Sequence, residues 1–160
     1  RIKIKNMGNK KEKIFNNLLN LLEENQKLSL PIKVSKGTVK EDWIDYNGHM
    51  NMAYYVQCFE ESSDFLLEQM GLGYRYAIEE RKGVFVIKCE INYRKEINLH
   101  ENFVISIEEL VCKGKKLVVG LRMLNANNET IADYKILNLN VDLETKKSSA
   151  FSTKIIAQLA

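Results

Sequence analysis

A single change of hydrophobic period near the middle of the chain constrains its fold most. Met52, Val56, Phe59, Ser63, Leu66 and Met70 recur at steps of four and three, the spacing of one helix face, while Glu60, Glu61, Asp64 and Glu68 fall off that stripe and Gly71 supplies a natural stop. The period then drops to two. Phe85, Ile87, Cys89, Ile91 and Tyr93 alternate with more polar residues, as do Phe103, Ile105 and Ile107, then Leu117, Val119, Leu121 and Met123, and a last long run spans Ile131 to Leu143. Lys113-Gly114 and residues 125–128 are turn segments between the later runs. Ahead of the helix, residues 32–40 alternate weakly, as an edge strand does, and residues 43–51 carry the Asp, Asn and Gly that favour turns. The order is strand, turn, long helix, then four strands. Short links make the later strands an antiparallel meander, and the one long helix must cover a face of that sheet, an α+β arrangement in two layers.

With 160 residues, 45% of them hydrophobic, the chain has the size of one domain with a real core. The first thirty residues differ from the rest: a charged run at Lys10–Lys13 precedes Ile14, Leu18, Leu21 and Leu22 at helical spacing, then Pro31. We therefore expect an extra N-terminal amphipathic helix in residues 1–30 and the main domain in residues 31–160. Met7 is an alternative start. A net charge of +3 from 24 basic and 21 acidic residues is too even for the basic face that duplex nucleic acid needs. No apolar run approaches a membrane span, and no secretory signal opens the sequence. A soluble, cytoplasmic protein is expected. Cys58, Cys89 and Cys112 are odd in number, widely spaced and without a Cys-x-x-Cys pair, so they read as reduced core thiols. Two histidines, His49 and His100, are too few for a histidine-rich zinc site, and no metal is expected.

Chemistry concentrates in Trp43-Ile44-Asp45-Tyr46-Asn47-Gly48-His49-Met50-Asn51, which packs a carboxylate, an amide, an imidazole and a glycine where a strand passes into the helix. Helix-opening N–H groups lack internal acceptors and sit at the positive end of the dipole, so a carbonyl placed there is polarised toward an oxyanion. Gly48 permits close backbone approach. Asp45 is then placed to attack a carbonyl carbon or to take a proton from water, with Asn47 and His49 orienting water or substrate. The plainer alternative is that Asp45 and Asn47 only cap a helix and shape an Asx turn.

This order of elements resembles the hotdog fold, an antiparallel sheet wrapped around one long central helix. The turn, continued by Tyr54-Tyr55-Val56-Gln57-Cys58-Phe59-Glu60, is similar to the signature of hydroxybenzoyl-CoA-thioesterase-like acyl-CoA thioesterases, with Asp45, Gly48, Asn51, Tyr55, Phe59 and Glu60 in register over about residues 32–145. The resemblance implies a catalytic Asp at Asp45. The spacing of Asp45, Asn47, His49 and Asn51 also resembles plant acyl-carrier-protein thioesterases, which lends roles to Asn47 and His49. Residues 43–50 are closest in wording to the branch that cleaves betainyl-CoA in carnitine metabolism, some of whose members are fused behind a carnitine dehydrogenase.

The resemblance implies a hydrolase for an acyl-CoA substrate, without a bound cofactor. Gly48, Met50, Asn51, Trp43, Tyr54, Tyr55 and Glu60 are the candidate substrate contacts, and Trp43, Tyr46, Tyr54 or Tyr55 could face a trimethylammonium group. Glu60 or Glu61 is the candidate second carboxylate. Arg94, Lys95, Lys113, Lys115 and Lys116, at strand ends and turns, are read as facing water rather than CoA phosphates. A hotdog enoyl-CoA hydratase fits less well, since its spacing places one more residue before the His. A non-catalytic acyl-binding or dimerisation module is the alternative from another class. The open edges of a single hotdog sheet predict a homodimer or a dimer of dimers.

Overall fold

The computed structural model describes residues 30–159. The expected N-terminal helix lies outside these residues. The helix expected from the period of 3.6 is α1 (Met52–Gln69), followed by a short α2 (Tyr74–Glu79), and the strands are β1 (Ile32–Thr38), β2 (Lys82–Tyr93), β3 (Asn102–Lys113), β4 (Lys116–Asn125) and β5 (Thr130–Asp142), with α3 (Thr153–Leu159) at the end. The strands form one antiparallel sheet in the order β1-β3-β4-β5-β2. The meander holds for β3, β4 and β5. By contrast, β2 leaves by a crossover, since it pairs with β5 while β1 pairs with β3.

Asn51 caps α1, its side-chain oxygen accepting the Ala53 N–H at 3.0 Å. At the other end Gly71 adopts φ +71°, and Leu72 N–H donates to Leu67 O while Gly71 N–H donates to Glu68 O, the paired bonds of a Schellman stop. The buried face runs through Tyr55, Cys58, Phe59, Ser62, Ser63, Leu66 and Leu67. It is thus rotated from the stripe read in the sequence: Phe59, Ser63 and Leu66 are inside, but Met52 is 61% exposed because it sits at the very start of the helix, beyond the sheet.

Opposite this face, strand register lines up rows of side chains across the sheet. Ile32, Ile107, Leu121, Tyr134 and Ile91 form one row, and Leu110, Val119, Ile136 and Cys89 another. The inner members are buried, whereas β2 is uncovered. A bulge between Val86 and Lys88 shifts its register, so Val86, Cys89, Ile91 and Tyr93 share the helix-side face, and Phe85 points to the other. The simple alternation expected for Phe85 through Tyr93 therefore breaks at the bulge. Of the three thiols, Cys58 and Cys112 are buried as expected, but Cys89 is exposed on the uncovered stretch of the edge strand β2. Burial pushes the Cys58 thiol up to about 12.

The buried amide of Asn140 fastens the ends of the domain together: it donates to Ser149 O and Ala150 O and accepts the Tyr76 hydroxyl from α2 at 2.8 Å. Among the described residues no helix is long and apolar enough to cross a membrane.

Candidate active site

A 3-10 turn, Glu41–Trp43, leads into the segment singled out by the sequence. That segment is a miniature hairpin rather than a bare strand-to-helix turn. Ile44 and Met50 form a bridge, Asp45 N–H donates to His49 O at 3.2 Å, and Gly48 N–H donates to Asp45 O at 3.0 Å. Gly48 closes the loop at φ +86°, a conformation that suits glycine, and a Cβ there would meet nothing within 4 Å. Gly48 is therefore required by backbone conformation and not by close packing. Met50 N–H donates to Ile97 O and Asn51 N–H to Trp43 O, both at 2.9 Å, so the hairpin is fixed to the β2–β3 crossover on one side and to its own entry on the other.

Asp45 does not cap the helix. Its Oδ1 accepts the Asn47 N–H at 2.8 Å and its Oδ2 accepts the Asn51 Nδ2 at 3.1 Å, while Asn51 itself caps α1. The Asn47 N–H, and after it the Asn51 amide and His49, hold the Asp45 carboxyl below its ordinary value against a smaller contrary effect of burial. It is an oriented, ionised carboxylate one residue-to-residue hydrogen bond from the start of α1.

His49 faces the other way, into a cleft of about 270 Å³. Met52 and Tyr55 of α1 form one wall, His49 and Met50 a second, and Tyr93 to Glu96, from the end of β2 onward, the third. The His49 Nε2 lies 3.6 Å from Glu96 Oε2, and its Nδ1 is 3.4 Å from Met50 O. Burial raises the phenols of Tyr55 and Tyr93, which therefore stay neutral. Arg94 is paired with Asp133 and Lys95 with Glu129. The Asp45 carboxylate does not line this cleft; the hairpin joins the two, since its backbone N–H binds the carbonyl of His49.

The remaining candidates are dispersed. Trp43 is buried, stacked on Tyr54 with ring centroids 5.4 Å apart, and carries the Lys40 ammonium 5.0 Å from its ring centre, so its faces are occupied. Tyr46 is 97% exposed at the hairpin tip. Of the four aromatics expected near a trimethylammonium group, Tyr55 alone lines the cleft. Glu60 lies eight residues into α1, about 12 Å along its axis, where it accepts the Tyr134 hydroxyl at 2.9 Å, far from Asp45. Glu61 accepts from Gln57 on the exposed side. Lys115 reaches Ser148 at the surface. Sequence reasoning missed Tyr93 and Glu96 as cleft residues. Among the described residues no three His, Cys, Asp or Glu side chains gather as a metal site.

Comparison with known proteins bears on the same region. A fused L-carnitine dehydrogenase/betainyl-CoA thioesterase of Ruegeria pomeroyi is 32% identical over 133 residues, 83% of this chain and 27% of that protein, so the chain spans about a quarter of the fused relative. A betainyl-CoA thioesterase of Pseudomonas aeruginosa is 24% identical over 76% of this chain and 77% of its own length. Among solved structures, a Staphylococcus aureus protein in complex with CoA superposes with a TM-score of 0.72 at 19% identity over 83% of this chain and 85% of that one. A candidate thioesterase of Pseudomonas putida gives 0.68 at 28% identity over 82% and 84%. The sheet order, the long helix and these neighbours identify the fold as the hotdog. The profile of the thioesterase-like superfamily matches residues 39–159, three quarters of the chain, and the chain belongs to that family.

Proposed function

We propose that this chain hydrolyses an acyl-CoA thioester to the free acid and CoA. The observation that carries the reading is the Asp45 carboxylate, held ionised by two donors on a hairpin that opens directly into α1, in a member of the thioesterase-like superfamily. The thioester carbonyl lies against the Met52 N–H, the first of α1, where the helix dipole favours the developing oxyanion. Asp45 supplies the attack, either on the thioester carbon itself or by drawing a proton from water, and its lowered proton affinity keeps it ionised in both roles. The carbon–sulfur bond breaks, CoA leaves as the thiolate and takes a proton, and water provides the oxygen of the acid. His49, in the cleft, orients water or acyl group, and Asn47 acts through the N–H that holds Asp45.

The names of the relatives support betainyl-CoA as the substrate and carnitine breakdown as the setting. The catalytic domain is residues 31–160, with residues 1–30 an added segment, and the unpaired thiols suit a cytoplasmic protein. The working form is a homodimer or a dimer of dimers. β2 is an edge strand, and its helix-side residues Val86, Cys89 and Tyr93 are exposed in the single chain. A second copy paired along that edge would cover them.

Free thiol release from betainyl, short aliphatic, long aliphatic and aromatic CoA esters tests the reading. Saturable release from at least one class is expected. No release from any class favours an acyl-binding module, and loss of the crotonyl-CoA double bond without thiol release favours a hydratase.

A further inference from the structure

The cleft beside His49 has a chemistry that the hairpin alone does not explain. At about 270 Å³ it falls just below the range of ~300–1,000 Å³ usual for drug-sized ligands, which suits a short acyl group. The rings of Tyr55 and Tyr93 stand at 89° with centroids 5.2 Å apart. Both hydroxyls are already engaged, Tyr55 donating to Lys95 O and Tyr93 to Met52 O, so the rings are fixed; the exposed Tyr93 ring offers π surface rather than a hydrogen bond, and the buried Tyr55 ring packs behind it. Met50 and Met52 add soft, polarisable thioethers.

Charge decides what such a lining selects. Arg94 and Lys95 also line the cleft, but each is neutralised by a carboxylate of β5 or of the turn before it, Asp133 and Glu129. Among the described residues the Glu96 carboxylate is paired with His49 alone, a cation solely when the imidazole is protonated. With His49 neutral the cleft carries a net negative charge beside the exposed Tyr93 ring. An anionic acyl group is disfavoured there and a neutral one gains nothing from the charge. A quaternary ammonium, which cannot donate a hydrogen bond and needs none, matches both features.

We propose that Glu96 and Tyr93, the latter held by Tyr55 packed against it, form the subsite for a quaternary ammonium group on the acyl chain and so determine substrate specificity. This rests on the thioesterase reading above. The thioester carbon sits at the start of α1, and the cationic head extends past Met52 and His49 toward Glu96.

The test compares two acyl groups of equal shape, trimethylammonioacetyl-CoA and its carbon isostere 3,3-dimethylbutyryl-CoA. The wild type is expected to favour the cation in kcat/KM. Tyr93→Leu should reduce that preference by about twofold to thirtyfold, the worth of one cation–π contact. Glu96→Gln should reduce it by about fourfold, the worth of one charge about 5 Å away in water-like surroundings. Because the readout is a ratio, general losses through His49 or packing cancel. Equal kcat/KM for the two esters in the wild type, or a preference unchanged in both variants, overturns the proposal. Should neither ester release thiol, binding of the corresponding CoA thioethers, with trimethylammonioethyl or 3,3-dimethylbutyl on sulfur, separates the two questions. Tighter binding of the cation that is lost in Tyr93→Leu keeps the subsite and rejects hydrolysis of these esters, whereas equal binding rejects the subsite as well.

Discussion

Asp45 and Asn51 are joined by one hydrogen bond and yet should fail in opposite ways. In Asp45→Asn the introduced amide has one acceptor oxygen facing two donors, the Asn47 N–H and the Asn51 Nδ2. It can satisfy either, and its own NH₂ then opposes the other. One loop hydrogen bond is lost, but Asn51 still accepts from Ala53 and α1 keeps its cap. In Asn51→Ala the cap itself goes, which costs about 0.5–2 kcal/mol, or about 1–8 °C in Tm for a domain of this size. Turnover should follow the reverse order. Loss of the Asp45 carboxylate removes nucleophile or base and should lower kcat/KM by about 100-fold to 10,000-fold, whereas Asn51→Ala removes one orienting hydrogen bond, roughly a factor of ten. Thermal melts paired with steady-state thiol release on the best substrate give both orders in one experiment. Asp45→Asn that folds normally and keeps more than about a tenth of wild-type activity, far above what base catalysis allows, would make Asp45 a structural brace for Asn51. It would also send the search for a carboxylate to Glu60 and Glu61.

Four further outcomes are expected. Since the folded Asp45 pKa lies below the ordinary 3.8, its stabilising effect is complete above that value and is lost as pH falls through the lowered one; melts of wild type and Asp45→Asn should therefore converge between about pH 5 and about pH 2, and a constant gap would contradict this. Asn47→Ala retains the backbone N–H that holds Asp45 and should cost less activity than His49→Ala, measured as kcat/KM. Leu66→Ala empties a site in the core and should cost about 2–5 kcal/mol in chemical denaturation, while Met52→Ala, at an exposed position, should cost less than about 0.5 kcal/mol. Val86→Lys, on the uncovered face of β2, should leave each chain folded by circular dichroism but shift the sedimentation coefficient toward monomer, and a wild type that sediments as a fully active monomer would remove the dimer altogether.

The long helix and β3 to β5 were legible because each buries one face against the other, and burial writes its period into the sequence. Residues 103–107 and 117–123 alternate cleanly since both their strands are central and covered. β2 also alternates, but its period reports a surface that this chain alone does not bury, and the bulge at Ile87 hides the change of face. α2 and α3 are seven residues or fewer, too short to show a helical period of their own. Asn51 as the cap was readable, an Asn directly before the first helical residue, whereas the capping alternative stated for Asp45 and Asn47 is not what the structure shows.

The site divides along the same line between local and long-range information. Asp45, Asn47, Gly48 and His49 lie within five residues, so turn chemistry and spacing expose them together. Tyr93 and Glu96 are more than forty residues further on, and contacts made in the fold, the hydrogen bond from Met50 N–H to Ile97 O, the Tyr93 hydroxyl on Met52 O and the packing of Tyr93 on Tyr55, bring them to the hairpin. No local pattern encodes that meeting. Nor does sequence reveal that Lys40 and Tyr54 already occupy Trp43, the residue that composition makes the most attractive partner for a cation. The proposed catalytic half of the site is thus carried by a contiguous turn, while the half proposed to choose the acyl group is assembled by topology. Substitutions confined to residues 93–96 should accordingly change which ester is preferred without moving the Asp45 carboxylate, whose two donors both come from the hairpin and the first residue of its helix cap.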